Sequence, residues 1–150
     1  MQVTFYELIT TSLEKTLPKI LEKVYESGLK AVVRAESLER LKSIDSAMWT
    51  YTTLGFLPHG SAETPKEFQA HQPIWLTTGI DNPINASVLV ITHQDASNTE
   101  NYERVLDVYD GNDEKAILLT KERADHYKSL GCEVITWKQN LKGVWEKGEV

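Results

Sequence analysis

Four histidines, His59, His71, His93 and His126, and one cysteine, Cys132, are the side chains of this chain best suited to metal binding or nucleophilic attack. Their spacing works against both. The histidines are far apart, with no H-E-x-x-H pattern, and one cysteine cannot make C-x-x-C. Cys132 opens the apolar run Cys132–Trp137 (CEVITW), where a thiol reads as a small core residue rather than a nucleophile. His59 lies between Pro58 and Gly60, in a turn where a hydrogen-bonding role is expected. The acids Glu36 and Asp45 flank a helix, which suits capping or surface charge. A phosphate site fares no better. The turn Ile9-Thr10-Thr11-Ser12 lacks the glycines that would admit a pyrophosphate, and no Gly-Lys-Ser/Thr follows. Glu36 falls where a ribose-binding acid could sit, but without those glycines it carries little. No catalytic set, metal ligand or cofactor site is expected.

What the chain does offer is the stretch Ile44–Gly60, IDSAMWTYTTLGFLPHG. A helix carries it as far as Met48-Trp49. Gly55 and Pro58 then forbid a comfortable continuation, because glycine loosens the backbone and proline lacks a donor. Two large aromatics, Trp49 and Phe56, therefore fall at an element's end and in a loop, with Leu57 and Pro58 beside them. Aromatics in such places either plug the core or present an apolar patch to a partner.

The elements around this stretch alternate. Gln2–Leu8 is a period-2 strand, with Val3, Phe5 and Glu7 on one face and Thr4, Tyr6 and Leu8 on the other. Thr11-x-x-Glu14 reads as a capping box. The helix after it carries Leu13, Leu17, Ile20, Leu21 and Val24 and ends near Gly28, with a first turn loosened by Pro18. Leu29–Ala35 is a short buried strand. Ser37 caps a helix with the stripe Leu38, Leu41, Ile44 and Met48. Ser61–Gln72 is a polar loop. Pro73–Thr78 and Ser87–Thr92 are strands joined by the turn-forming Gly79–Ala86. Arg104–Tyr109 is a strand, Glu114–Leu130 a helix ended by Gly131, and Cys132–Trp137 a last strand. Short connections between alternating strands and helices predict one α/β domain, an open and mainly parallel sheet with helices on both faces. It should span residues 1–137, followed by a charged, frayed tail over 138–150 that Trp145 anchors weakly.

Composition sets outer bounds. With 150 residues, 41% hydrophobic and 25% charged, the chain is an ordinary soluble domain. A lone cysteine fits a reducing cytosol. No apolar run approaches a membrane span, and the N-terminus lacks a basic region ahead of an apolar one, so a cytoplasmic location is expected. Sixteen basic against 22 acidic residues, net −6, leave no general attraction for phosphates. Any role at DNA should run through protein partners.

Asp45-Ser46-Ala47-Met48-Trp49 followed by Gly55-Phe56-Leu57-Pro58-His59-Gly60 resembles the signature of the chi subunit of bacterial DNA polymerase III. The resemblance covers most of the chain. It implies a non-catalytic accessory subunit of a DNA-directed DNA polymerase, a nucleotidyltransferase complex, on a fold likened to nucleotide-binding domains. Such subunits sit in the clamp-loader assembly and contact the C-terminal tail of single-stranded-DNA-binding protein. In some lineages a small psi subunit tethers them to the loader. Trp49, Phe56, Leu57 and Pro58 would then serve psi or a substitute for it. The tail, acidic and ending in an aromatic, needs cations and an apolar pocket. The last helix offers Lys121, Arg123, Tyr127 and Lys128. Lys121 and Lys128 lie two turns apart on one face, with Tyr127 bordering it, whereas Arg123 sits about 200° from Lys121. The family commonly follows this arginine with an aromatic and a lysine, where this chain has Ala124 and Asp125. A competing reading is a small α/β enzyme or binding protein for a nucleotide or phosphorylated metabolite.

Overall fold

The computed structural model describes residues 1–51, 57–93 and 97–148. Among them the chain forms strands β1 Gln2–Leu8, β2 Ala31–Arg34, β3 Ile74–Thr77, β4 Val88–Ile91, β5 Arg104–Asp110, β6 Glu133–Gln139 and β7 Trp145–Gly148. The helices are α1 Leu13–Glu26, α2 Leu38–Trp49, α3 Lys66–Gln69 and α4 Glu114–Ser129. One sheet holds all seven strands in the order β3-β2-β4-β5-β1-β6-β7. Every neighbouring pair is parallel except β6 and β7. This is the open α/β sheet that the alternation of elements predicts.

The pleat of β1 divides the core. Val3 and Phe5 point to the side covered by α4, where they pack with Val105, Ala124 and Tyr127. Tyr6 and Leu8 point to the side of α1 and α2, among Leu17, Leu21, Ile44 and Met48. The two faces carry different helices because successive side chains of a strand alternate. β2, β3 and β4 are buried along their whole length, as strands covered on both faces should be.

Helix ends follow local chemistry. Ser37 Oγ accepts from the Arg40 amide at 3.1 Å, the cap expected of it. At α1 the cap is Ser12, which accepts from Lys15 N, rather than Thr11. Thr11 Oγ1 is instead engaged with Thr16 Oγ1 at 2.6 Å. The helix runs unbroken through Pro18, which is buried and withholds only a donor from the Glu14 carbonyl. Gly28 and Gly131, both with φ +81, follow α1 and α4 in the left-handed conformation glycine adopts at little cost.

Gly79–Ala86, the turn-forming join between β3 and β4, is a crossover, since both strands flank β2. Two expectations yield to tertiary structure. The polar loop Ser61–Gln72 contains the short helix α3. The stretch beyond Trp137, expected to fray, continues β6 to Gln139 and turns back as β7. Asn140 Oδ1 accepts from the Lys142 and Val144 amides to close that turn, and Trp145 meets the Tyr6 ring edge-on at 5.5 Å. A large aromatic resting on the core outweighs the charged residues around it.

Candidate partner-binding surfaces

Where open α/β sheets hold nucleotides, outside the carboxyl ends of the strands, this chain has a cleft of about 650 Å³ at the ends of β1 and β5. The backbone donors of its β1–α1 turn and of the start of α4 are already used. Gln139 Oε1 accepts from the amides of Ile9, Thr10 and Thr11 at 3.0, 2.9 and 3.2 Å. Three consecutive N–H groups that could cradle a phosphate oxygen are thus filled by an amide of β6. At the start of α4 the Asp113 carboxylate accepts from Lys115 and Ala116. Glu14, Glu36 and Asp110 line the walls, and Arg40 is tied to Glu14 at 3.3 Å. Arg123 and His93 line it as well, so its walls carry groups of both signs.

The histidines stay apart. His59 packs against α2, His71 is exposed before β3, His93 follows β4 and lines the cleft near Asp107, and His126 is exposed on α4. Among the described residues no group of three or more His, Cys, Asp or Glu side chains is placed to hold a metal ion. Cys132 is half-buried against the α4-side core.

At the end of α2, Trp49 is 54% exposed whereas its neighbour Met48 is fully buried. The indole meets the His59 ring edge-on at 5.6 Å. His59 Nδ1 donates to the Leu57 carbonyl at 2.7 Å, and its Nε2 bonds Asp45 Oδ1 at 2.6 Å. The histidine side chain is only 2% exposed. The hydrogen-bonding role expected of the turn histidine is thus what the geometry gives it. Leu57 is buried in the core and Pro58 is half-buried. Of the four residues assigned to a partner patch, Trp49 and Pro58 reach the surface here. Leu57 lies beneath it, and Phe56 lies outside the described residues.

The other assigned set is on α4. Lys121 and Lys128 are exposed on one flank. Tyr127 is 3% exposed and packs against Phe5, with its hydroxyl pushed up in pKa by burial. Arg123 turns under the helix, where Nε and Nη2 donate to Asp107 at 2.8 and 3.0 Å and Nη2 also donates to Thr120. Burial pushes the Asp107 carboxyl up in pKa, and the Arg123 fork opposes that push. The helix therefore brings Lys121 and Lys128 together and sends Arg123 and Tyr127 elsewhere.

Sequence reasoning missed a shallow pocket of about 370 Å³ on the opposite flank of α4, lined by Thr99, Leu119, Glu122, Arg123, His126, Tyr127 and Leu130. The spacing of 119, 123, 126 and 130 is a helical stripe that could have signalled it. Its Thr99 wall could not be foreseen. Arg34, buried at the end of β2, donates to the Ser97 and Asn98 carbonyls and fixes that segment. Ala124, one of the two departures from the family pattern, is 1% exposed and faces the sheet, whereas Asp125 faces solvent.

Comparison with known proteins bears on all of this. The family model described as DNA polymerase III chi subunit, HolC, matches residues 1–135. A protein of Rickettsia prowazekii (strain Madrid E), named probable DNA polymerase III subunit chi, is 36% identical over 90 residues, 60% of this chain. The match spans 53%, about half, of that relative's own length. No helix among the described residues is long and apolar enough to cross a membrane. With the motif Asp45–Trp49 and Leu57–Gly60 folded as one unit inside a match of this extent, the chain belongs to the DNA polymerase III chi subunit family.

Proposed function

We propose that this chain is a non-catalytic accessory subunit of DNA polymerase III, joining the clamp loader to single-stranded-DNA-binding protein during replication. The observation that carries the reading is the placement of its two surfaces. α2, which bears Trp49, packs on one face of the sheet, and α4 packs on the other. A linker must hold two partners at once, and surfaces on opposite faces leave each free of the other.

In this reading the psi subunit, or whatever replaces it in the loader, rests on Trp49 and Pro58. The acidic tail of single-stranded-DNA-binding protein lies along α4. Lys121 and Lys128 offer exposed cations for its carboxylates on one flank, and the pocket beside Arg123 and His126 on the opposite flank is the alternative seat, for its terminal aromatic. The net charge of −6 keeps the chain from gripping DNA on its own.

Calorimetric titration with whole single-stranded-DNA-binding protein, and with the same protein lacking its acidic tail, tests this. Binding that needs the tail and weakens with added salt supports the proposal. Equal binding by both forms, or none by either, overturns it. The same titration with a nucleotide panel addresses the competing reading, against which stands the capture of the β1–α1 turn amides by Gln139.

A further inference from the structure

An indole that is 54% exposed at the end of a helix has many rotamers open to it unless something stops it. Here His59 does. Asp45 and Trp49 are four residues apart on α2, one turn along the same side. The His59 ring approaches both, bonding the Asp45 carboxylate and standing edge-on to the Trp49 indole. The imidazole cannot drift, because its other nitrogen donates to the Leu57 carbonyl and its side chain is 2% exposed. The backbone behind it is fixed on both sides. Leu57 is buried in the α1–α2 core, the Gly60 amide donates to Ile74 O at 2.8 Å, and Gly60 O accepts from Leu76 at 2.8 Å. A Cβ at Gly60 would stand 2.5 Å from Gln72 Cγ, so a larger residue there would have to push the Gln72 side chain aside.

We infer that Asp45 and His59 form a clamp that sets the Trp49 indole in its partner-binding orientation, making them positioning residues of that surface. The inference rests on the reading of Trp49 as an anchor for a clamp-loader subunit and adds how the anchor is held. A partner that stacks an apolar side chain on the indole meets a ring already ordered. The cost of immobilising it is met on folding rather than on binding. The spacing Asp45-x-x-x-Trp49 with a later Pro58-His59-Gly60 then has a mechanical reason. Asp45 is 40% exposed at its side chain, so it fills no core volume whose loss would explain an effect on binding.

The test incorporates 5-fluorotryptophan and follows the ¹⁹F resonance of Trp49, assigned with Trp49→Phe, beside those of Trp75, Trp137 and Trp145. The variants are Asp45→Ala, His59→Ala and His59→Gln, the last keeping an amide donor able to reach Asp45. Each is then titrated against the clamp-loader assembly of the same organism purified without this chain. The clamp predicts that Asp45→Ala and His59→Ala shift the Trp49 resonance and leave the other three in place. Affinity should fall about three- to ten-fold, and His59→Gln should recover part of it. An unmoved Trp49 resonance and unchanged affinity in both alanine variants overturn the inference. Trp49→Ala that binds as tightly as the native chain overturns the anchor reading instead, whatever the resonance does.

Discussion

Arg123 reaches down from α4 and grips Asp107 of β5 with two hydrogen bonds, of 2.8 and 3.0 Å, around a carboxylate with no exposed surface. This pair decides how the helix bearing one proposed partner surface is seated on the sheet. A bidentate fork satisfies a buried carboxylate as no lysine could. Arg123 is thus a structural residue at its head and lines the surface pocket only along its flank.

Replacing it should be costly. Arg123→Met leaves Asp107 buried without a counter-charge, and a loss of about 3–5 kcal/mol is expected in urea unfolding. The pH dependence follows from the raised Asp107 pKa. The folded state binds this proton more tightly than the unfolded chain does. Stability attributable to Asp107 therefore rises as pH falls through the raised value toward the unfolded one, and is lost as pH climbs back. Removing the arginine takes away the opposing charge, so this window should widen. Unfolding measured between neutral and mildly acidic pH should show the variant regaining part of its deficit on acidification. A deficit that is flat with pH would contradict the assignment.

Gln139 carries a comparable load with no charge at all. Its Oε1 takes three amide donors of the β1–α1 turn, and its Nε2 donates to Thr11 Oγ1 at 2.9 Å. Gln139→Ala strands those donors at a part-buried site, and a loss of about 1–3 kcal/mol is expected. Leu141→Ala, two residues on and 86% exposed, should change stability by less than about 0.5 kcal/mol. Thermal or urea unfolding of the two variants side by side checks the contrast.

These two residues also show what the sequence could and could not disclose. The alternation in Val3-Thr4-Phe5-Tyr6 and the stripe Leu13, Leu17, Ile20, Leu21 disclose strand, helix and buried face, because each depends on neighbours within a few positions. Gln139 meets Ile9 across 130 positions and Arg34 meets Ser97 across 63, and no local pattern encodes such meetings. The C-terminal stretch hides its strand for the same reason. The charged residues around Trp145 read as solvated, whereas its ring finds Tyr6. On α4, the exposure of Lys121 and Lys128 was legible from helix geometry. That Tyr127 and Arg123 turn inward depends on Asp107 and Phe5, which belong to other strands. At α2, the motif was legible as residue types, but the join between Asp45 and His59 needed the fold.

Met48 and Trp49, adjacent on α2, should respond oppositely to truncation. Met48 is fully buried among Ile44 and its core neighbours, so Met48→Ala should cost about 2–5 kcal/mol of stability. Trp49→Ala removes a half-exposed ring and should cost less than about 1 kcal/mol, while a surface anchor of this size is worth about 2 kcal/mol or more to binding. Urea unfolding and titration with the clamp-loader assembly give both quantities for each variant. A Trp49→Ala protein as unstable as Met48→Ala would make the indole a core residue and remove it from the partner surface.

Under the proposed function, the two flanks of α4 make separable demands on the tail of single-stranded-DNA-binding protein. Lys121 and Lys128 lie about 140–160° around the helix from Arg123 and His126, so one short segment cannot lie flat against all four. If the exposed cations guide the tail, Lys121→Glu with Lys128→Glu should weaken binding sharply at low salt, and the difference should shrink as salt rises. If the pocket seats the terminal aromatic, Leu130→Ser should weaken binding at every salt concentration, because its contribution is apolar contact on a side chain now 65% exposed. Both substitutions are at exposed positions and should leave unfolding within about 0.5 kcal/mol of the native chain. Titration of each variant with whole single-stranded-DNA-binding protein at two ionic strengths separates the flanks. A loss confined to the double charge reversal assigns the tail to the lysine flank. One confined to Leu130→Ser assigns it to the pocket. If both variants bind like the native chain, α4 is not the receptor.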